Sequence, residues 1–313
     1  MNGRSLEILA PGPLTTVQDL GRPGWSHLGV PSSGAADPSS LALANRLLGN
    51  PENAAALEIT YGGLRARLRS RRPDGTGSVL YTVLTGAPCP AWLDGRPLAM
   101  NAPVAVLDGQ RLELGLPTAG LRTYLAVRGG LDTPVTLGSR SADVLSKLGP
   151  PPLTTGDAVP VASPVGPMPG VDLAPCTAPP STFVLRVVPG PRDDWFDEAS
   201  VAALYSERWV ADSRSNRVGV RLSGPVLQRR KAGEIPAEGM MRGALQVPPN
   251  GQPVLFLADH PVTGGYPVIG VVHAEDLSLV GQLPPGAGLR FCRYRYRGRR
   301  RCAMALGAAG AGL

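Results

Sequence analysis

The residues that follow the apolar run 254–258 have the types and spacing for acid–base chemistry. Asp259 comes directly after this run, and the turn that follows contains Thr263, Gly264, Gly265 and Tyr266. A carboxylate at the end of a strand can serve as acid or base. Glycines let backbone N–H groups approach a developing oxyanion, because no Cβ blocks them. The alternative interpretation is a tight hairpin in which Asp259 caps its own turn.

A second polar set lies at Ser215, Asn216 and Arg217, which bring together a hydroxyl, an amide and a guanidinium. This combination suits a carboxylate or amide ligand, because it offers several hydrogen-bond donors and one positive charge. The alternative is an ordinary turn before a strand, with Arg217 in solvent. Among the three histidines, His260 is the best placed for proton transfer, because it directly follows Asp259.

The stretch 14–49 is polar at a density that argues against a core strand. Its candidate functional residues are Thr16, Gln18, Asp19, Arg22 and Asp37. We expect a glycine-bounded turn, a second loop and a short helix, and loops of this kind often carry function. Asp37 is a candidate N-cap for the helix, with Pro38 at its first position and Gly49 just past its end. A solvated surface loop is the alternative.

These residues must be positioned by β-strands, because most of the chain alternates short apolar runs with glycine-rich turns. In the first half we predict strands at 5–9, 57–60, 64–68, 79–85, 104–107, 111–116 and 122–127. In the second half we predict a helix at 192–208 and strands at 183–188, 218–222, 245–247, 254–258, 268–273 and 288–294. Turns such as Asp74–Gly75 and Asp94–Gly95 are typical of hairpins. The pattern favours a closed β structure over βαβ units.

A proline-rich segment divides the chain, with seven prolines among the 22 residues 160–181. We therefore predict a domain at 1–160, a linker at 161–181 and a second domain at 182–313. The small residues of the tail, 307–313, predict a frayed end.

Charge and missing motifs exclude several protein classes. The net charge of +7 equals the contribution of seven arginines between 290 and 301, so the basic character is confined to the C-terminal end. This distribution disfavours nucleic-acid binding. The cysteines at 89, 176, 292 and 302 form no Cys-x-x-Cys pair, so we expect no metal site. No apolar run is long enough for a membrane, and a cytoplasmic protein is expected. We find no serine-nucleophile elbow and no phosphate-binding loop.

Several stretches, taken in order, resemble the allophanate-hydrolase-subunit-2-like family. They read TTVQDLGRPGWSHLGVPSSGAAD, YLAVRGGLDTPVTLGSRS, SNRVGVRLSGP and GALQVPPNGQPVLFLAD. The family includes a 5-oxoprolinase subunit and the carboxyltransferase part of urea carboxylase. The resemblance implies a mainly β protein with two cyclophilin-like β-barrel domains and a few short helices. It also implies a separately encoded partner of the related subunit-1-like type and, in a 5-oxoprolinase, a third subunit.

The resemblance implies ATP-dependent opening of the lactam 5-oxoproline to glutamate, with ATP bound by the complex. Some relatives instead transfer a carboxyl group from biotin to urea or another amide, and others are non-enzymatic regulators of a kinase inhibitor. Neither Lys147 nor Lys231 has the methionine neighbours of a biotinylated lysine, so no covalent biotin is expected on this chain.

The family pattern carries over residue by residue. Lactam opening would need a base for water, for which Asp259 and Asp19 are candidates, and a clamp for the substrate carboxylate, for which Arg22 or Arg217 is a candidate. Donors near Gly264 and Gly265 could hold the developing oxyanion. The positions expected at a substrate-binding or partner face are Thr16, Gln18, Arg22, Asp37, Ser215, Asn216, Arg217, Gln246, Thr263, Gly264, Gly265 and Tyr266. The chain departs from the pattern at Pro261 and Val262, where the family has Gln-Thr, and at Ala142, where it has Thr.

Overall fold

The fold was analysed in a computed structural model that describes residues 3–71, 77–175, 177–231, 233 and 235–294. The predicted turn at Asp74 and Gly75, Cys176, and the arginine-rich end and tail from Arg295 onward lie outside the described residues.

The described residues of the first half form eleven strands and one α-helix. In chain order they are β1 (Gly3–Ala10), β2 (Leu14–Gln18), α1 (Pro38–Leu47), β3 (Ala56–Thr60), β4 (Arg65–Arg71), β5 (Leu80–Gly86), β6 (Ala91–Leu93), β7 (Arg96–Pro97), β8 (Val104–Val106), β9 (Arg111–Leu114), β10 (Arg122–Val127) and β11 (Ala158–Pro160). A 3₁₀ turn at Ser26–Leu28 lies between β2 and α1.

These strands form two antiparallel sheets that enclose one core. One sheet has the order β11-β1-β4-β9-β6-β7 and the other β2-β3-β10-β5-β8. Leu6 and Leu68 of the first sheet are buried in the same core as Leu57 and Leu125 of the second. Because side chains alternate along a strand, β4 turns Leu68 inward and the flanking Arg67 outward, toward Glu7 on β1.

The second half is a closed barrel of seven strands in the order β12-β19-β16-β17-β14-β13-β20. Its elements are β12 (Phe183–Pro189), α2 (Glu198–Ser206), β13 (Trp209–Ala211), β14 (Gly219–Ser223), β15 (Glu238–Gly239), β16 (Ala244–Gln246), β17 (Val254–Phe256), β18 (Thr263–Gly264), β19 (Val268–Val272), α3 (Leu277–Val280) and β20 (Gly288–Arg293). The 3₁₀ turns Asp193–Trp195 and Ala274–Asp276 precede α2 and α3. Parallel pairing of β12 with β20 closes the barrel. The prediction of a mainly β protein with barrel architecture and a few short helices is confirmed; the domain boundaries remain a prediction.

The helix predicted after Asp37 is present, and its start follows local chemistry. The Asp37 carboxylate accepts a hydrogen bond from the N–H of Ser40 at 3.0 Å, and Pro38 occupies the first turn. Gly49, just past the end, has a φ of 65°. None of the helices within the described ranges is long and apolar enough to cross a membrane.

Two predictions about local structure were wrong. Residues Leu14–Gln18 form a strand whose last four residues are buried, where a polar turn was expected. Their polar side chains are tolerated in the interior because they find hydrogen-bond partners there. The helix predicted at 192–208 is interrupted, since Asp197 caps a new helix through the N–H of Ser200 at 2.7 Å.

The two halves meet at the segment just before α1. Arg242 of the barrel half donates hydrogen bonds to the carbonyls of Ala35 and Ala36. The Gln282 amide donates to Asp37 at 2.8 Å. Gly281 lies so close to the carbonyl of Ala36 that a Cβ would overlap it. Residues 35–37 of the polar stretch are therefore covered by the barrel half.

Candidate functional site

Asp19 fixes the loop that leaves β2. Both of its carboxylate oxygens accept hydrogen bonds: Oδ1 from the N–H of Gly21 at 2.7 Å and the hydroxyl of Ser139 at 2.6 Å, and Oδ2 from the N–H of Arg140 at 2.7 Å. The Ser141 hydroxyl makes a further short contact with Oδ1. Asp19 is thus a buried anchor between the first polar stretch and residues 139–141.

Arg22 lies in the same loop, with a side chain that is 1% exposed. Its guanidinium donates from Nε to the carbonyl of Thr136 at 3.3 Å and from Nη2 to the carbonyl of Ser141. The third nitrogen, Nη1, has no hydrogen-bond partner among the described residues. Burial lowers the pKa of Arg22, and the carboxylates of Asp143, Asp19 and Asp259 oppose that shift. One buried cationic donor is therefore left without an acceptor.

Gln18, on β2, leaves a buried acceptor without a partner. Its amide nitrogen donates to the hydroxyl of Thr16 and to the carbonyl of Ala142, both at 3.0 Å. Its Oε1 has no partner within the described part of the chain. Ala142, one of the positions that departs from the family pattern, thus lies against a predicted site residue.

Asp143 was missed by the sequence analysis. Its Oδ1 accepts hydrogen bonds from the N–H groups of Leu145 at 2.8 Å and Ser146 at 2.9 Å. Its Oδ2 is buried and without a partner in the described ranges. A signal was available, because Asp143 closely follows the polar stretch that ends at Ser141.

Asp259 and Arg217 form a buried ion pair at the junction of the halves. Arg217 is 1% exposed and contacts both oxygens of Asp259, with Nε to Oδ2 at 2.9 Å and Nη2 to Oδ1 at 3.0 Å. Asp259 also accepts from the hydroxyl of Ser33 at 2.6 Å and the N–H of Val144 at 3.0 Å. The interpretation of Arg217 as a solvated turn residue is wrong.

Arg217 also reaches across to the first half. It pairs with the carboxylate of Glu58 on β3 and donates to the carbonyl of Gly34 at 2.7 Å. Glu58 additionally accepts from the hydroxyl of Tyr124 at 2.7 Å and lies 3.4 Å from Arg122. Burial alone would raise the pKa of Glu58, but Arg217 and Arg122 lower it overall. Glu58 is therefore ionised within a network that joins the two halves.

The remaining predicted residues lie in two places, the turn before β14 and the surroundings of Gln246. Ser215 and Asn216 form the turn before β14, where Asn216 accepts from the N–H of Val218 at 2.8 Å and the Ser215 hydroxyl donates to a carbonyl at 2.6 Å. Gln246 donates to the carbonyl of Tyr266 at 3.3 Å, and a Cβ at Gly264 would lie 2.5 Å from the Gln246 amide. Gly265 lies near the carbonyl of Ile235, and the Tyr266 ring lies under the guanidinium of Arg229 at 5.6 Å.

A cavity of about 460 Å³ lies between three segments of the chain. Residues 26–31, 145–146 and 261–263 contribute to its lining. Ser26, His27, Ser146 and Thr263 supply polar groups, and Pro261 and Val262 supply apolar ones. Of the predicted site residues, only Thr263 lines it. The two departures at Pro261 and Val262 therefore lie in the cavity wall.

His260 precedes this wall and is 8% exposed. Its Nδ1 lies 2.8 Å from the carbonyl of Pro261, which fixes Nδ1 as the protonated nitrogen of the neutral ring. The ring stacks on Phe256 with centroids 6.1 Å apart. Burial lowers the pKa of His260, with a smaller contribution from Arg242, so the imidazole is neutral at pH 7. Within the described residues, no three His, Cys, Asp or Glu side chains are grouped to hold a metal ion.

Comparison with known proteins places the chain. Residues 28–293 match the family model described as the carboxyltransferase domain, subdomain A and B. The chain therefore belongs to this carboxyltransferase-domain family. It is 37% identical over 289 residues to a 5-oxoprolinase subunit of Escherichia coli strain K12, and the match covers 91% of this chain and 90% of that protein.

Fungal relatives contain a similar segment within much longer chains. The urea amidolyase of Lachancea kluyveri is 33% identical over 323 residues, which cover 94% of this chain and 17% of that protein. The crystal structure of the K. lactis urea amidolyase superposes with a TM-score of 0.84 at 31% identity, over 93% of this chain and 19% of that one. The chain thus spans less than a fifth of these two urea amidolyases.

Proposed function

We propose that this chain is a subunit of an ATP-dependent 5-oxoprolinase, which opens the lactam of 5-oxoproline to glutamate together with a related partner subunit. The observation that carries the proposal is a set of three buried polar atoms without partners among the described residues: Arg22 Nη1, Gln18 Oε1 and Asp143 Oδ2. Arg22 and Gln18 both bind carbonyls of residues 141–142, which directly precede Asp143. Buried polar groups are normally satisfied, so these three atoms favour a ligand with complementary groups.

A lactam has the complementary groups. Its carbonyl oxygen can accept from Arg22 Nη1, and its N–H can donate to Gln18 Oε1 or Asp143 Oδ2. A guanidinium beside the carbonyl oxygen would also stabilise negative charge that develops there when water attacks the carbon. The N–H groups of Leu145 and Ser146, two residues of the cavity wall, hold the Asp143 carboxylate in place.

The candidate bases differ in whether one of their carboxylate oxygens is left to accept a proton. Asp259 and Asp19 use both carboxylate oxygens in hydrogen bonds or ion pairs, whereas Asp143 keeps one oxygen free of any partner in the described ranges. We therefore propose Asp143 as the group that accepts the proton from water, with Asp259 and Asp19 holding the surrounding loops. A carboxylate that acts as base needs a free lone pair within reach of the water.

We do not assign ATP to the cavity of this chain. The described residues that line it include no lysine or arginine, and a triphosphate needs cationic donors. We accordingly assign ATP binding to the assembled complex, which would comprise the subunit-1-like partner and a third subunit. The name of the Escherichia coli relative, which describes it as one subunit of a 5-oxoprolinase, supports a multi-subunit assembly.

Reconstitution tests the proposal. The chain is combined with its cognate partners, and ADP and glutamate are measured with 5-oxoproline, with urea or without substrate. We expect 5-oxoproline-dependent release of both products. The variant Asp143→Asn should lower kcat/KM at least tenfold, or about 1.4 kcal/mol. The control Asp132→Asn changes an exposed carboxylate of the same region and should retain activity. Full activity of Asp143→Asn would remove the proposed base, and the absence of any response to 5-oxoproline would remove the proposed reaction.

Biotin-dependent carboxyl transfer to an amide is the second candidate, because the family model and the urea amidolyase relatives favour it. The same three unpartnered atoms could hold urea, which also offers a carbonyl and N–H groups. Urea-dependent turnover that avidin abolishes would establish this reaction in place of lactam opening.

A further inference from the structure

The barrel half contains a second cavity, of about 390 Å³, which shares no lining residue with the first cavity. It lies between the turn Asp193–Trp195, helix α2 and the end of β20. Phe196, Val201 and Tyr205 supply apolar surface. The charged lining residues are Asp193, Asp194, Glu198, Arg230 and Arg293. The lining therefore combines an apolar surface with charges of both signs.

Four of these five charged side chains have no ion-pair partner within the described ranges. Asp194 is paired with Lys231 at 2.5 Å. The side chains of Asp193, Glu198 and Arg230 make no hydrogen bond or ion pair within the ranges that the structure describes. Arg293 lies over the ring of Tyr205 at 5.9 Å, which leaves its N–H donors available. Two carboxylates and two guanidiniums thus share one cavity without pairing among the described residues.

Backbone contacts fix the positions of these charged residues. The backbone N–H of Arg230 donates to the carbonyl of Trp195 at 2.7 Å, which fixes Arg230 beside the turn that carries Asp193. Glu198 is the first residue of α2, which Asp197 caps. Arg293 ends β20, whose neighbour β12 pairs with it along its length. A ligand of single charge would leave one set of lining charges unmatched.

We propose that this cavity binds a zwitterionic α-amino acid with an apolar side chain. The carboxylate is bound by Arg230 and Arg293, because guanidinium groups match carboxylates in geometry and charge. The ammonium group is bound by Asp193 and Glu198. The side chain packs on Phe196, Val201 and Tyr205. The volume lies within the roughly 300–1,000 Å³ typical of small-molecule sites.

Isothermal titration of the full chain with L-leucine tests this site. Two derivatives separate the charges: N-acetyl-L-leucine lacks the ammonium group and L-leucinamide lacks the carboxylate. We expect saturable binding of L-leucine and at least tenfold weaker binding of each derivative. Equal binding of either derivative, or no saturable binding of L-leucine at millimolar concentration, would overturn the proposal.

Variants then test whether the named residues bind the carboxylate and the ammonium group. Arg230→Gln and Glu198→Gln should each weaken L-leucine binding at least tenfold. The matched control Arg290→Gln changes an exposed arginine of β20 that bonds the carbonyl of Ser206 and lies outside the cavity, and it should bind as the wild type does. Wild-type affinity in both cavity variants would contradict the assignment. The measurement needs no partner subunit and no lactam turnover, so its failure is separate from that of the proposed 5-oxoprolinase activity.

Discussion

Replacing Arg217 with methionine should strongly destabilise the chain. Arg217 is the ionic partner of Asp259, and both side chains are at most 1% exposed. Removing one member of a buried ion pair costs about 3–5 kcal/mol, because the other charge is left uncompensated. Glu58 keeps Arg122 at 3.4 Å, and Asp259 keeps its bonds from Ser33 and Val144. We therefore expect the middle of this range, about 4 kcal/mol.

Urea unfolding of the purified chain at pH 7 measures the effect, followed by thermal unfolding. At about 2–4 °C per kcal/mol for a domain of this size, the melting temperature should fall by about 8–16 °C. The control is Arg221→Met, an exposed arginine on β14, which should change the free energy of unfolding by less than about 0.5 kcal/mol.

A double-variant cycle with Glu58→Gln separates the ion pair from loss of packing. Contact between the two side chains predicts a coupling energy of about 0.5–3 kcal/mol. A melting temperature of Arg217→Met within about 2 °C of the wild type would refute the reasoning. A coupling energy of zero would show that Arg217 and Glu58 do not stabilise each other across the junction.

Three further outcomes are expected. Asp37→Ala should lower the free energy of unfolding in urea by about 1–3 kcal/mol, because it removes the cap of α1 and the bond from Gln282; an unchanged midpoint would contradict this. Gly281→Ala should lower the melting temperature, because the added Cβ would overlap the carbonyl of Ala36. Gly239→Ala serves as the control, because its Cβ meets nothing within 4 Å. Equal changes in melting temperature for the two variants would argue against the contact. Burial lowers the pKa of His260, so the unfolded chain binds more protons than the folded chain as pH falls through about 6.5. The free energy of unfolding of the wild type should therefore fall more steeply from pH 7 to 5 than that of His260→Gln. Parallel pH profiles of the two proteins would exclude this linkage.

The elements that the sequence predicted well are those specified by neighbouring residues. Helix α1 begins at Pro38 because Asp37 caps it, and it ends just before Gly49. The strand Arg122–Val127 has the predicted bounds, since its apolar run is followed by Gly129 and Gly130. In both cases the residues that predict the element lie within a few positions of it.

The elements that the sequence predicted badly depend on distant partners. Gln18 is buried on β2 because Ala142, 124 positions away, accepts its hydrogen bond. Asp259 is buried because Ser33, 226 positions away, and Arg217 bond to it. Polarity alone indicated solvent or a cleft for these residues, because nothing near them in sequence shows that an interior partner exists. Asp143 was missed although it follows a polar stretch, because its oxygen without a partner among the described residues becomes apparent only when the loop around it is folded.

The bond between Arg217 and Glu58 also has a consequence for synthesis on the ribosome. The two residues are separated by 159 positions, so at about 5–20 residues per second Glu58 is made roughly 8–30 s before its partner. During that interval the nascent first half can complete its two sheets, while the surface that later receives the barrel stays open to water. That surface includes Ala35 and Ala36, which are covered only after Arg242 has been made.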